Sequence, residues 1–259
     1  MSTATSTPLE ALEPCVIGAT GGSGTRIVAR IVREAGLFIG TDRNDYEDAL
    51  PLGAYSDRWI NEYVASSAQG GLPDELRRQM AGELERVLAG HRSDQPPDAR
   101  AWGWKEPRSI YYLPFLHGEM PRLRFLHFIR DGRDMAFSEN QQQLSKHGEA
   151  ALSAVEARRR RPVRSIALWT RVNEQAADYG ESRMGDRYLC VRFEDLCRDS
   201  VATLGRIFGF FGIEGDAERA AAAVRDPGSI GRWQKGHRKK TIEELHEVAE
   251  PALARFGYL

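Results

Sequence analysis

Residues 15–30 read Cys-Val-Ile-Gly-Ala-Thr-Gly-Gly-Ser-Gly-Thr-Arg-Ile-Val-Ala-Arg, and this stretch constrains the fold more than any other. The apolar run Cys15–Ile17 predicts a buried strand, and the glycines at 18, 21, 22 and 24 predict a tight turn. Ile27, Val28, Ile31 and Val32 then recur at helical spacing. A strand, a glycine turn and a helix start gather free backbone N–H groups at one point, backed by the positive end of the helix dipole. Lacking Cβ atoms, Gly21, Gly22 and Gly24 let a phosphate approach the backbone closely. Ser23 and Thr25 add hydroxyl donors, and Arg26 adds a fixed charge. The segment is an anion cradle.

Three anions compete for it. A Walker-type ATP or GTP loop needs Gly-Lys-Ser/Thr, whereas Thr25 follows Gly24 directly. A dinucleotide turn suits the spacing Gly18-x-x-Gly21-x-x-Gly24, yet no Tyr-x-x-x-Lys of the short-chain dehydrogenases occurs. A 5′-phosphosulfate loop places Ser-Gly-Thr, here residues 23–25, at the start of the first helix. The loop alone leaves the last two open.

A second segment decides between them. Phe125, Leu126, Phe128 and Ile129 predict a buried strand ending at Arg130, followed by a turn at Asp131-Gly132-Arg133. Asp134 is placed as the N-cap of a helix starting at Met135, with Ser138 in its first turns. Arg130 and Ser138 then converge on one anion at the strand end, where open parallel sheets bind ligands. With this Arg-to-Ser spacing the chain resembles the PAPS-dependent sulfotransferases, in the bacterial branch related to the tyrosylprotein and glycan enzymes. Trp104-Lys105-Glu106-Pro107 is similar to the family's Lys-x-Pro segment, and Val191-Arg192-Phe193-Glu194-Asp195-Leu196 to its Arg-Phe-Glu-Asp-Leu strand end. The resemblance spans roughly residues 14–258 and rests on four motifs in the family's order.

The resemblance implies a three-layer, P-loop-like α/β fold with a central parallel sheet flanked by helices. It also implies the donor 3′-phosphoadenosine 5′-phosphosulfate (PAPS), whose sulfuryl group moves to a hydroxyl or amine and leaves adenosine 3′,5′-bisphosphate. Charge builds on the leaving 5′-phosphate oxygen and the sulfuryl oxygens, so positioned cations and N–H groups carry the catalysis. No metal is required, and no His, Cys or Asp cluster has metal-ligand spacing.

The chain departs from the family at two points. Relatives place Lys or Arg immediately before Ser-Gly-Thr; here that position is Gly22. Lys105 is the expected replacement cation, with Arg26 in support. The Lys-Thr-His base of the cytosolic small-molecule enzymes is absent, because Glu106 and Pro107 follow Lys105. The tyrosylprotein branch instead carries a carboxylate after the first helix, a segment that here reads Gly40-Thr41-Asp42-Arg43-Asn44-Asp45. Asp42 is the expected base and Asp45 the second choice. Either acid has the alternative role of shaping the loop or binding Arg43.

Ser229, Arg232 and Lys235 are candidates in a late nucleotide-binding loop, with Trp233 either an adenine or acceptor wall or a packing residue. Two roles are open to Arg133: an internal pair with Asp134, or the 3′-phosphate. The run Arg158–Arg161 and Arg164 is read as a solvated basic loop. His127, within a strand, is expected to be structural. Tyr46, Tyr55, Trp59 and Tyr63 either line an aromatic acceptor cleft or fill the core.

A chain of 259 residues supports one domain with a large core, read as residues 14–259 behind a flexible tail, 1–13. Net charge is −1, so no global field attracts nucleic acid, and the expected partner is a small-molecule or glycan acceptor. Three cysteines argue against a disulfide framework. The N-terminus has no basic-plus-apolar signal and no apolar run is long enough to span a bilayer, which suggests a cytoplasmic location and no membrane association. Helices are expected around Leu76–Leu88, after Pro162 and after Asp199, with a strand over Tyr188–Phe193. Thr241-Ile-Glu-Glu244 reads as a capping box for the last helix. Strands alternating with helices give the parallel sheet independently of the resemblance. Two rivals remain: a NAD(P)-binding protein of short-chain-dehydrogenase type, and a catalytically silent PAPS-binding protein, the latter motivated by Gly22.

Overall fold

Val16 and Phe125 turn to one face of the central sheet, and Ile17, Leu126 and Phe128 to the other, as the two-residue period of a strand dictates. Both faces are therefore apolar and both are covered, the condition for a parallel sheet. The computed structural model describes residues 7–259. Residues 1–6 of the expected tail lie outside the described residues, whereas Leu9–Ala11 form a 3-10 turn and Leu12 is buried in the core.

The strands are β1 (Cys15–Gly18), β2 (Leu37–Phe38), β3 (Ala101–Lys105), β4 (Arg124–Ile129) and β5 (Tyr188–Arg192). The first half of the chain supplies helices α1 (Thr25–Glu34), α2 (Leu50–Ala68), α3 (Asp74–His91), α4 (Leu113–Glu119) and α5 (Gly132–Ala136). Helices α6 (Gln142–Ala151), α7 (Ala154–Ala157), α8 (Arg161–Arg183) and α9 (Phe193–Arg198) follow, then α10 (Ser200–Phe211), α11 (Ala217–Ala221) and α12 (Lys239–Arg255). The sheet order is β2-β3-β1-β4-β5, every pairing parallel. Helices α2, α3, α6 and α8 cover the Val16 face and α1 and α10 the other, giving the expected three layers.

This order creates a switch point. From β1 the chain moves to β2 and β3 on one side, then crosses to β4 and β5 on the other. The crevice at the C-terminal ends of β1 and β4 is where such sheets bind ligands. Ile17 lies level with Lys105 of β3 and Leu126 of β4, so the loop after β1 stands directly over both neighbouring strand ends. Gly103 is needed for this contact, since a Cβ there would lie 1.7 Å from the Cys15 carbonyl oxygen.

Two expected helix starts move. Asp131, not Asp134, caps α5, accepting from the Arg133 N–H at 2.8 Å. That helix is only five residues long, because the Gln141 side chain takes the Met135 and Ser138 carbonyls at 3.0 and 2.9 Å. Ser138 thus lies just beyond α5 rather than in its first turns. The last helix begins at Lys239, with Thr241 buried inside it, so the Thr241–Glu244 box is not its cap. All three cysteines are free. No helix among the described residues is long and apolar enough to cross a membrane.

Candidate active site

The loop after β1 is anchored at both ends. The Ala19 N–H donates to the Pro107 carbonyl at 2.8 Å, and Ser23 Oγ donates to the Thr20 carbonyl at 2.7 Å. Gly22 and Gly24 have φ of 87° and 80°, which side chains rarely tolerate. Their backbone turns the amides of residues 21–24 to where none meets a backbone acceptor among the described residues, at the N-terminus of α1. Ser23 and Thr25 are buried, while Arg26 is exposed, its guanidinium 5.6 Å from the Tyr46 ring centroid.

Ser138 and Arg130 approach from β4. A Cβ built on Gly22 would stand 3.8 Å from Ser138 Oγ, so the glycine keeps open the space between loop and hydroxyl. Arg130 is buried, and its Nη2 donates to the Ser229 carbonyl and hydroxyl at 2.8 and 3.0 Å. Its Nε is buried with no partner among the described residues. An unpaired guanidinium N–H in a closed site is costly and calls for an anionic acceptor. Phe193 joins the two halves: its ring lies 5.0 Å from the Arg130 guanidinium, and a Cβ on Gly24 would be 2.6 Å from it.

Asp134 has a role the sequence did not reveal. Its carboxylate accepts the Gly231 and Trp233 N–H groups at 2.8 and 3.2 Å and lies 3.5 Å from Arg130 Nη2. It therefore fastens the late loop to the β4 end. Arg133 pairs with Asp131 at 2.8 Å, not with Asp134, and also donates to the Tyr258 carbonyl at 2.7 Å. The half-buried Trp233 ring lies 4.0 Å from the Arg133 guanidinium. Arg232 donates to the Ser229 carbonyl at 3.4 Å, and Lys235 is exposed. Arg159 and Arg160 pair with Glu244 at the surface.

On the other flank of β1, Lys105 is buried at the end of β3. Its Nζ donates to the Tyr46 carbonyl at 3.0 Å and to the Asp48 carboxylate. Burial lowers the Lys105 pKa below the ordinary lysine value, and the neighbouring Asp48 charge opposes that shift. The second Asp48 oxygen accepts from Asn44 Nδ2 at 3.0 Å. Asp42 and Asp45 are exposed, and Asp42 serves the loop through its carbonyl, which accepts the Leu50 N–H at 3.0 Å. The carboxylate beside Lys105 is thus Asp48, beyond the expected Gly40–Asp45 segment, six residues after Asp42 and three after Asp45. Glu47 adopts φ 63°, held by Arg33 and Arg43 at 3.3 and 3.1 Å, and this strained residue turns Asp48 inward. Burial also raises the pKa of the adjacent Glu106, which Arg108 binds at 2.6 Å.

His127 is structural: its ring nitrogens meet Tyr188 Oη and Asn173 Oδ1 at 2.6 and 2.7 Å. Tyr55 and Trp59 are core residues, Tyr63 is buried, and Tyr46 is largely exposed. No three His, Cys, Asp or Glu side chains are grouped as metal ligands among the described residues.

A glycine loop at a helix N-terminus, with an arginine and a serine after the next strand of a parallel sheet, makes a candidate anion site in a P-loop-like fold. Residues 24–217 match the model of the family described as the sulfotransferase family. The chain belongs to the sulfotransferase family. Among solved structures it is similar to the sulfotransferase domain of the curacin biosynthetic pathway, with TM-score 0.59 and 12% identity over 96% of this chain and 99% of that one. The sulfotransferase domain of the Synechococcus PCC 7002 olefin synthase gives TM-score 0.57 and 14% identity over 92% and 93%. A sulfotransferase from Alicyclobacillus acidocaldarius gives TM-score 0.54 and 14% identity over 95% and 94%. At these identities the likeness is one of fold. No curated protein matches the chain by sequence.

Proposed function

We propose that this sulfotransferase takes the sulfuryl group of PAPS and delivers it to an acceptor hydroxyl. The observation that carries the reading is the arrangement of donors around β1: the Gly21–Thr25 loop, Ser138 and Arg130 on one side, Lys105 with Asp48 on the other. PAPS, when bound, supplies an activated sulfuryl group on a good leaving group. The amides of Gly21, Gly22, Ser23 and Gly24 and the Thr25 hydroxyl hold the 5′-phosphate end at the positive end of α1. Arg130, through its unpaired Nε, and Ser138 hold the 3′-phosphate. Arg26, Arg232 and Lys235, being more exposed, add attraction rather than fixed contacts.

Lys105 supplies the positive charge that Gly22 cannot. Being buried, it acts where solvent screens little, which raises its value to charge developing in the transition state. Asp48 takes the acceptor proton. Its two oxygens carry more lone pairs than Lys105 and Asn44 occupy, and it is only partly buried.

Calorimetric titration with adenosine 3′,5′-bisphosphate, run beside NADP⁺ and ATP, tests the donor. Binding of the bisphosphate alone, weakened in Arg130→Ala, is the expected result. Folded protein that ignores the bisphosphate would falsify the reading, and preference for NADP⁺ would support the dinucleotide rival.

A further inference from the structure

A groove of about 670 Å³ lies between α2, the 3-10 segment Pro107–Tyr112, the end of α6 and α8. That volume falls within the roughly 300–1,000 Å³ typical of small-molecule sites. Its walls include Val64, Ile110, Leu152, Val172 and Ala176. The two charged residues at the rim are already paired, Arg171 with Glu156 at 2.7 Å and Asp178 with Arg255. An ionic occupant would therefore have to break an existing pair, whereas a neutral one need not. Tyr179, Ser67, Ser153, Ser182 and Gln175 add hydrogen-bonding groups around the apolar walls.

The groove leads toward the transfer site. Tyr111 lines it and donates to Gln143 Oε1 at 3.2 Å. Gln143 in turn donates to the Ala19 carbonyl at 3.4 Å, and a Cβ on Gly21 would lie 3.4 Å from its amide carbon. Two buried side chains, Tyr111 and Gln143, thus stand between the inner end of the groove and the glycine loop. Beside Gln143, a cavity of about 30 Å³ also touches Thr20, Gly21 and Leu144. It has room for a small polar group.

We infer that the groove takes the apolar body of a neutral, elongated alcohol, with its hydroxyl end directed past Tyr111 and Gln143 toward the glycine loop. This rests on the sulfuryl-transfer reading, whose acceptor class it names. The reaction balances without a further reactant: the acceptor oxygen forms the new S–O bond, the bond to the 5′-phosphate oxygen breaks, and the hydroxyl proton passes to Asp48.

Decanol is the probe. Ser67→Trp/Gln175→Trp narrows the mouth from two exposed positions on facing helices, with no core change. Calorimetry should show saturable decanol binding by the wild type. The double variant should bind it at least about tenfold more weakly, the effect of denying burial to about two methylene groups. Its affinity for adenosine 3′,5′-bisphosphate should be unchanged. Transfer from radiolabelled PAPS to decanol should fall in parallel. Absent decanol binding, or binding the variant leaves intact, overturns the groove assignment even if the bisphosphate binds. Decanol that binds in the groove but is not sulfated, in protein that binds the bisphosphate, overturns the acceptor role. Failure of bisphosphate binding overturns the transfer reading itself, and with it the acceptor role, and the decanol titration still decides whether the groove is an apolar site.

Discussion

Lys105 and Asp48 are bonded through their side chains although 57 positions separate them in the chain. β3 delivers the lysine, and the loop between β2 and α2 delivers the carboxylate. Their meeting places a cation and a carboxylate at the strand end beside β1, and this pairing is the reason Asp48 is the proposed base.

Replacing Asp48 by Asn keeps the shape and removes the base. Turnover should fall by roughly 10²–10⁴. Asp42→Asn, at an exposed position, should change turnover by no more than about twofold. Single-turnover rates separate the two; equal losses would remove Asp48 from its role.

Lys105→Met keeps the volume and removes the charge. The expected loss is about 10²–10³ in turnover, the cost of one preorganised donor, with bisphosphate affinity changed only a few-fold. Undiminished transfer would leave Arg26 as the compensating cation.

Arg130→Lys retains a charge but not the planar fork that bonds Ser229 and leaves Nε free for an anion. Bisphosphate affinity should drop about tenfold. Ser138→Ala should cost about fivefold, the value of one hydrogen bond. Both are read by calorimetry.

Gly24→Ala tests the link through Phe193. The added Cβ would sit 2.6 Å from that ring at a φ of 80°, displacing the surface against which Arg130 lies. Bisphosphate binding should weaken together with stability. Gly36→Ala is the control: φ is 98° but nothing lies within 4 Å. It should cost only the backbone strain, about 1 kcal/mol in denaturant unfolding, and leave the affinity intact.

His127 makes stability pH-dependent. Burial pushes its pKa down to about 4 from 6.5, so the folded state keeps the ring neutral while the unfolded chain protonates. The stabilisation is complete above pH 6.5 and is lost as pH falls toward 4. The shift is worth about 3 kcal/mol. Urea midpoints should fall over this window in the wild type, and His127→Phe should make that fall shallower, with His147 and His91 still contributing, while lowering stability near neutrality.

Local pattern made much of this legible. Glycine spacing, strand alternation and the 3.6-residue period each act within a few residues, so β1, the loop, α1, β4 and Arg130 could be read directly, as could the helices carrying Leu84, Trp169 and Ile207. The short α5 differs from expectation because the Gln141 side chain takes the Met135 and Ser138 carbonyls, and the last helix because it begins at Lys239, ahead of Thr241, which is buried within it.

The sequence by itself determined the anion cradle and the parallel sheet beneath it, because both follow from short-range backbone chemistry and burial. Only the tertiary structure decided that Asp48, rather than Asp42 or Asp45, faces Lys105. That choice depends on the path of one loop, bent at Glu47 and held by Arg33 and Arg43. Acidic residues a few positions apart in an irregular loop have no period to set their direction. The partner across space sets it.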